Sequence, residues 1–418
     1  MQHTDAIVIG AGQAGLAMSH CLSRRGIDHA VLDRGRVGER WRSERWDSLR
    51  LLTPNWMSRL PGWQYRGPDP DGYMTMPEVV RFLEGYARAG SAPVETGVTV
   101  HAVERAGDGY RVETDQGVRR ARAVVVATGH CDVPMVPAMA RDLPADIHQI
   151  TPSRYRNPDS LPDGGVLVVG ASATGVQLAE ELHRSGRPVT LSVGRHTRLP
   201  RLHRGRDIMW WMDRIGVLDE RADRARDLGR ARAQPSLQLV GHPDRRTIDL
   251  AALHDQGVRV VGRTAGVDGG RITLCDDLAE TTAAAQATMD RLLARIDAFA
   301  GPSKTEGVRP IALPPSPSAL DLRAEGIRSV VWATGFRRDY GWLKVPVLDA
   351  AGEVIHHGGV TPSPGLYVLG LRFLRRRKSN FIDGVGADAE ELAEDILGHL
   401  AKHGLAKHGL AKHSYVAA

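Results

Sequence analysis

The tightest constraint on how this chain can fold is a glycine-rich turn that occurs twice. Ala6 to Ile9 is a short apolar run, Gly10-Ala-Gly12-Gln-Ala-Gly15 follows at once, and an amphipathic segment runs from Leu16 to Arg25. Gly26 closes that segment, and a second apolar run ends at Asp33. The order is strand, glycine turn, helix, strand, acid, the pattern of a dinucleotide-binding unit. Gly10 permits the tight turn, Gly12 lets the backbone approach a pyrophosphate, and Gly15 lets the helix lie close to the strand. The helix N-terminus then faces the phosphates. Asp33 stands where a carboxylate accepts both ribose hydroxyls. The expected cofactor contacts of this unit are Gly10, Gly12, Gln13, Ala14, Gly15, Asp33 and Arg34. A turn that only packs a helix on a sheet would explain the glycines but would leave the acid to chance.

The second copy reads Val-Leu-Val-Val-Gly-Ala-Ser-Ala-Thr-Gly from Val166 to Gly175. The two copies align without a gap: Gly10 with Gly170, Gly15 with Gly175, Gly26 with Gly186, Asp33 with Val193. The acid is gone. Ser192 and Val193 end the second strand, Arg195 comes next but one, and Arg198, Arg201 and Arg204 follow. A carboxylate there would repel a 2′-phosphate, whereas guanidinium groups grip one in bidentate fashion. The first unit should therefore hold a nucleotide with a free 2′-hydroxyl. The second should hold NADPH through Gly170, Ser172, Ala173, Thr174, Gly175 and Arg195. Two units of unlike chemistry in one chain suggest FAD plus NADPH, with a hydride passing between them.

The fold class that follows is α/β, with two Rossmann-like dinucleotide-binding domains. The 418 residues leave room for two or three domains. The three cysteines, Cys21, Cys131 and Cys275, are isolated. The absence of a C-x-x-C pair argues against a disulfide reductase and against a zinc site, and a reducing cytoplasm is the expected setting. No apolar run has membrane-spanning length, and the first apolar run is already a strand, so neither an integral membrane segment nor a signal peptide is expected. The net charge of +6 is scattered along the chain rather than interleaved with aromatics. A nucleic-acid partner is not expected, and a surface that attracts anionic cofactors accounts for the charge.

After Asp33 the chain carries Gly38-Glu-Arg40-Trp41, then Trp46-Asp-Ser-Leu-Arg-Leu-Leu-Thr-Pro54, then Leu60-Pro-Gly62 and Phe82 to Ala87. This resembles the class B flavin-containing monooxygenases, in particular their short bacterial and plant-type members. The resemblance implies that Arg40, Trp41 and the 50–55 stretch, with Leu52 and Thr53, lie along the FAD. On its own terms Trp41, like Trp46, reads as a core aromatic. Relatives carry an asparagine near Asn55 that touches flavin and nicotinamide, which makes Asn55 the catalytic candidate; an amide can both donate and accept there. The alternative is an asparagine that serves its own turn after Pro54.

Residues 94 to 126 alternate apolar and polar, with Asp108-Gly109 as a hairpin turn and Val100 counted among the cofactor contacts. Ala127-Thr128-Gly129 closes an apolar strand, and Ala333-Thr334-Gly335 closes another. In flavoproteins with two dinucleotide domains such segments mark chain crossings, where small residues let the backbone pass close to a cofactor. Ser379 to Asp388 opens a final helix that, by resemblance, returns to the flavin, with Asp383 as a contact; closing the sheet is the plainer reading. Arg375 to Lys378 reads as a solvated turn or as an anion site.

The family's Phe-x-Gly-x-x-x-His fingerprint is degenerate here. Asp142 and Pro144 stand where Phe and Gly belong before His148, and the next aromatic, Tyr155, falls three residues late. That argues against a Baeyer–Villiger oxygenase. Trp210-Trp211 reads as core, lid or membrane-touching face. A helix is expected over 283–299, with Ala287, Leu292, Ile296 and Phe299 on one face. The expected domains are FAD-binding at 1–155 and 326–400, NADPH-binding at 156–325 inserted between them, and a frayed extension at 401–418 made of Ala-Lys-His-Gly-Leu units. The function implied is an NADPH-consuming FAD monooxygenase. It would form a C4a-hydroperoxyflavin from molecular oxygen and pass one oxygen atom to nitrogen, sulfur or activated carbon of a small organic substrate. The open alternatives are an NADPH oxidase or reductase that delivers electrons to oxygen or a protein partner, and a non-catalytic redox sensor. The sequence leaves room for a homo-oligomer.

Overall fold

Strand β1 (Gln2–Ile9) runs through the first glycine turn into helix α1 (Gln13–Ser23) and strand β2 (His29–Asp33). The computed structural model describes the backbone of residues 2–302 and 308–413. β1 pairs in parallel with β2, Ala6 opposite His29 and Ile9 opposite Leu32. After helix α2 (Met76–Ala89), the strands β3 (Val94–Thr96), β4 (Val100–Ala106), β5 (Gly109–Thr114) and β6 (Gly117–Val126) complete a sheet of order β3-β2-β1-β6-β5-β4. β4 and β5 form the expected hairpin, but Ala106 faces Gly109 and Gly107 takes φ +63°, so the turn sits one residue early, at Gly107-Asp108.

β6 is long enough to serve two partners on one edge. Residues 117–121 pair with β5, and Val124 to Val126 pair in parallel with β12 (Leu366–Val368). The late strand thus re-enters the first sheet after a long excursion. Helix α6 (Ile382–His413) follows it and packs on α1, burying Leu392, Ala393 and Ile396 with Leu16, Met18 and Leu22 in one core.

The excursion builds the second unit: β7 (His148–Ile150), β8 (Gly165–Val169), α3 (Ala173–Arg184), β9 (Val189–Ser192), α4 (Ile208–Arg214), β10 (Arg259–Val261), α5 (Leu278–Ala300) and β11 (Ile327–Trp332). Its sheet has the order β7-β11-β8-β9-β10 and is parallel throughout. Buried on both faces, β8 reads as continuous apolar sequence. Both β7 and β11 are hydrogen-bonded into this sheet, so it reaches past the expected 156–325 span on either side. The chain leaves the first sheet after Ala127-Thr128-Gly129 and leaves the second after Ala333-Thr334-Gly335, so both tripeptides sit at crossings.

Two further expectations need correction, the buried face of α5 and the 401–413 extension, and the core reading of Trp211 holds. α5 buries Ala285, Met289, Leu293 and Ile296, while Ala287 and Phe299 of the expected face are exposed. The helix starts earlier than the pattern suggested, and a run of alanines fixes no face. Trp211 is core, buried among Ile208, Met212 and Leu293 with its Nε1 donating to the His203 carbonyl at 2.8 Å; Trp210 is half-buried against its edge. The 401–413 repeats continue α6 instead of fraying, as strong helix formers such as Ala, Lys and Leu allow; 414–418 lie outside the described residues. Among the described residues no helix is long and apolar enough to cross a membrane.

Candidate dinucleotide cavity

The two glycine turns are near copies in three dimensions. Gly10 takes φ +110°, and a Cβ there would stand 2.6 Å from the Ala127 carbonyl oxygen; Gly170 takes φ +107°, and its Cβ would stand 2.5 Å from the Ala333 carbonyl. At Gly15 a Cβ would fall 1.8 Å from the Gly10 oxygen, and at Gly175 1.7 Å from the Gly170 oxygen. Each helix therefore rests directly on its strand, and each Ala-Thr-Gly backbone is what its glycine approaches. Gly12 differs: a Cβ there meets nothing within 4 Å, because that side is open.

The strand ends diverge as the sequence suggests. The Asp33 carboxylate accepts from the Ala11 N–H at 2.6 Å and the Gly35 N–H at 2.8 Å, which fixes it at the end of β2. In the second unit Ser192 turns inward, donating to the Gly262 carbonyl and meeting the Thr264 hydroxyl, and Val193 is buried. Arg195 is exposed, with no hydrogen bond or ion pair among the described residues.

The arginines beyond Arg195 do not join it. Arg198 is buried against Asp249 at 2.7 Å and against the Arg309 carbonyl. Arg201 is fully buried on Asp207 and donates to the Leu52 carbonyl at 2.8 Å. Arg204 pairs with Asp297. Only Arg195 is left for a phosphate, because the segment turns back into the core after it.

One cavity of about 910 Å³ runs along the first turn and reaches the second. Of the expected contacts, Gly10, Gly12, Gln13, Ala14, Asp33, Arg34, Arg40, Trp41, Leu52, Thr53, Val100, Ala127, Thr128, Gly129, Ala173 and Thr174 line it. Gly15, Gly170, Ser172, Gly175, Arg195, Ala333, Thr334 and Gly335 do not. Gly15, Gly170 and Gly175 instead set the close packing beneath. Trp41 donates to Gln13 at 3.2 Å, and Arg40 is tied to the Cys131 carbonyl and to Asp132.

Beside them lies a cationic corner that sequence reasoning missed. Arg45 and Arg372 line the cavity, and both donate only to backbone carbonyls, of Glu44 and Gln234 respectively. Burial lowers the pKa of both. Burial first, then Arg372, Arg338, Arg45 and Arg40, pushes His130 down to about 3. Burial likewise raises the Cys131 thiol. Guanidinium groups without acidic partners, next to an open helix N-terminus, suit a pyrophosphate. The residues present thus fit FAD. Arg372 follows β12, and the rule that ligands gather at the carboxyl ends of parallel strands could have flagged it.

Two expected contacts lie elsewhere. Asn55 does not reach the cavity: its amide donates to the Asp69 carbonyl at 2.9 Å, and its buried Oδ1 has no partner. The amide thus ties down a loop 14 residues on rather than its own turn. Asp383 is held by Arg59 at 2.5 Å and Lys378 at 2.9 Å, outside the lining, although Asn380, Phe381 and Ile382 beside it do line the cavity. The basic run is not a solvated turn, and Arg377 of it lines the cavity. Arg375 and Arg376 pair with acids of α6, Arg377 with Glu220, and Lys378 with Asp383. Tyr155 of the degenerate fingerprint is fully buried, with its hydroxyl on Glu181 of α3 at 3.0 Å.

Comparison with known proteins agrees with this architecture. Residues 7–204 match the family described as pyridine nucleotide-disulphide oxidoreductase. A CzcO-like oxidoreductase of Geobacillus kaustophilus is 36% identical over 404 residues, covering 96% of this chain and 100% of the relative. An indole-3-pyruvate monooxygenase of Oryza sativa is 34% identical over 191 residues, covering 43% of this chain and 45% of the relative. A flavin-containing monooxygenase from Stenotrophomonas maltophilia superposes with a TM-score of 0.68 at 20% identity, over 96% of this chain and 99% of that one. The full-length match and the paired turns lead to one assignment: this chain belongs to the class B flavin-containing monooxygenase family.

Proposed function

We propose that this protein is an FAD-dependent monooxygenase that draws electrons from NADPH and places one atom of molecular oxygen on a small organic substrate. One observation carries the reading: two turns of nearly identical geometry end in opposite chemistry, Asp33 on one side and exposed Arg195 on the other. FAD, when bound, supplies the centre that takes up a hydride and activates oxygen. The chain positions and protects. Asp33 keeps free lone pairs for ribose hydroxyls. The N-termini of α1 and α3 offer unpaired N–H groups to the two pyrophosphates, and Arg195 meets the 2′-phosphate. Leu52, Met209, Met212, Leu218 and Phe381 exclude water from the same cavity.

The test is Arg195→Ala. NADPH binding should weaken by about 1–3 kcal/mol, the worth of a charge-assisted contact, while NADH binding barely changes. Equal losses for both would remove the 2′-phosphate assignment. Oxygen transfer is tested separately, by substrate-dependent NADPH consumption. If peroxide release matches NADPH use whatever substrate is present, the protein is an oxidase.

A further inference from the structure

The acidic side chains that line the cavity all come from the first turn's surroundings, and all but Glu44, whose buried Oε2 has no partner among the described residues, are held by hydrogen bonds. Asp33 is held by backbone N–H groups, Glu39 pairs with Arg36, Asp132 pairs with Arg40, and Glu44 faces Arg34 and Arg40 at 4.0 Å. The wall supplied by α4 and α5 is different in kind. Met209 and Met212 of α4, Val217 and Leu218 after it, and Leu292 of α5 make it apolar. Its only charges are Arg291 and Arg295 of α5.

These two arginines are one helical turn apart, so their side chains are neighbours on one face. Neither pairs with an acid among the described residues. Arg291 donates only to the Thr288 hydroxyl, at 3.0 Å, and Arg295 has no hydrogen bond or ion pair there. The nearby acids of the same helix are taken: Asp290 accepts from Gln286, and Asp297 accepts from His203 and pairs with Arg204. Like charges at this spacing repel and weaken a helix. An anion between them would turn that repulsion into attraction.

We propose that this wall is the substrate subsite, and that the substrate is an apolar organic acid whose carboxylate is gripped by Arg291 and Arg295; the inference rests on the monooxygenase reading for what then happens to the bound acid. Two guanidinium forks match a carboxylate in geometry and charge. The methionines give an adaptable surface to the apolar body, which fits a class of acids rather than one member.

The experiment uses the full-length, FAD-loaded protein and calorimetric titration. The probes are 3-phenylpropionate and decanoate, each beside its uncharged primary amide. Each acid should bind at least tenfold more tightly than its amide. The double variant Arg291→Gln/Arg295→Gln should erase that preference while leaving the NADPH dissociation constant and the FAD content unchanged. Both positions are exposed and glutamine is a good helix former, so the fold should survive. Three results would overturn the proposal: acids that bind no better than amides or not at all, a preference that persists in the variant, or a variant that loses NADPH affinity by the same factor. Binding is read without turnover, so failure of oxygen transfer would remove the monooxygenase reading and leave the acid preference standing.

Discussion

Gly12 and Gly15 sit in one motif, yet their alanine variants should fail in different ways. At Gly15 the added Cβ would lie 1.8 Å from a backbone oxygen, Gly10 O, and 3.4 Å from a Val8 methyl. Neither neighbour is a flexible side-chain end, so α1 would have to retreat from β1 by about 1.5 Å to restore an ordinary contact. Overpacking of this kind costs about 1–3 kcal/mol, and the helix propensity gained by replacing glycine returns at most about 1. Gly15→Ala should therefore lower the stability of the flavin-free chain by roughly 1–2 kcal/mol. Gly12 has φ −82° and ψ −172°, which any residue adopts, and its Cβ meets nothing within 4 Å. Gly12→Ala should change flavin-free stability by less than about 1 kcal/mol, because the lost capping preference and the reduced freedom of the unfolded chain oppose each other. Its methyl enters the cavity where the pyrophosphate must approach the helix N-terminus. Losing even one charge-assisted contact there, worth about 1.5–3 kcal/mol, weakens FAD by tenfold or more. The assays are urea denaturation of the deflavinated chain followed by circular dichroism, and FAD titration followed by flavin fluorescence. A Gly12→Ala variant that holds FAD as tightly as the parent would refute the placement of the pyrophosphate. A Gly15→Ala variant of parental stability would refute the packing argument.

Asp33→Asn replaces one acceptor oxygen with a donor and sets it against a backbone N–H of Ala11 or Gly35; FAD affinity should fall at least tenfold, read by the same fluorescence titration. Arg198→Ala leaves buried Asp249 without its ion-pair partner and should cost about 3–5 kcal/mol in urea denaturation, without altering the ratio of NADPH to NADH affinity. Burial, then the charges of Arg232, His357 and Arg338, holds His356 down at about 4, and burial with nearby arginines holds His130 at about 3. Between those values and about 6.5 the unfolded chain binds more protons than the folded one, so stability should drop as pH falls below about 6.5, by up to roughly 1.4 kcal/mol per pH unit for each histidine. His356→Gln should flatten part of that slope in urea titrations at pH 7 and 5.5; an unchanged slope would show that His356 does not carry it.

What was legible in the sequence is what backbone geometry dictates. Only glycine can stand where Gly10, Gly15, Gly170 and Gly175 stand, so those positions announce two strand-turn-helix units from the sequence alone. The Ala-Thr-Gly pair was legible for the same reason, since each alanine carbonyl lies against a turn glycine. Asp33 was legible because its distance from the turn fixes its place at the strand end. Charge was far less legible than shape. Arg195 and Arg198 are three residues apart and look alike in the sequence, yet one has no partner among the described residues and the other is committed to Asp249, a partner from a distant part of the chain. The run Arg375 to Lys378 looks solvated until α6 and Glu220 fold onto it.

The same logic explains why the cavity wall escaped notice. A wall built by α4, Val217 and Leu218 after it, and α5 has no local signature, because its members meet only in the folded chain. Arg291 and Arg295 repeat at helical spacing, as any solvated helix face does, and the sequence offers no sign that this face looks into a cavity. The difference lies in the missing partners. These two are exposed, share a wall with Met209, Met212 and Leu292, and have no acid partner among the described residues. In a cavity whose lining acids all lie around the first turn, an unpaired cation on the α4–α5 wall implies an anion that arrives from outside. The same reasoning underlies the proposal of a nucleotide phosphate at exposed Arg195, outside the cavity lining. At Arg291 and Arg295, away from both turns and among apolar side chains, the anion is the substrate's own charge.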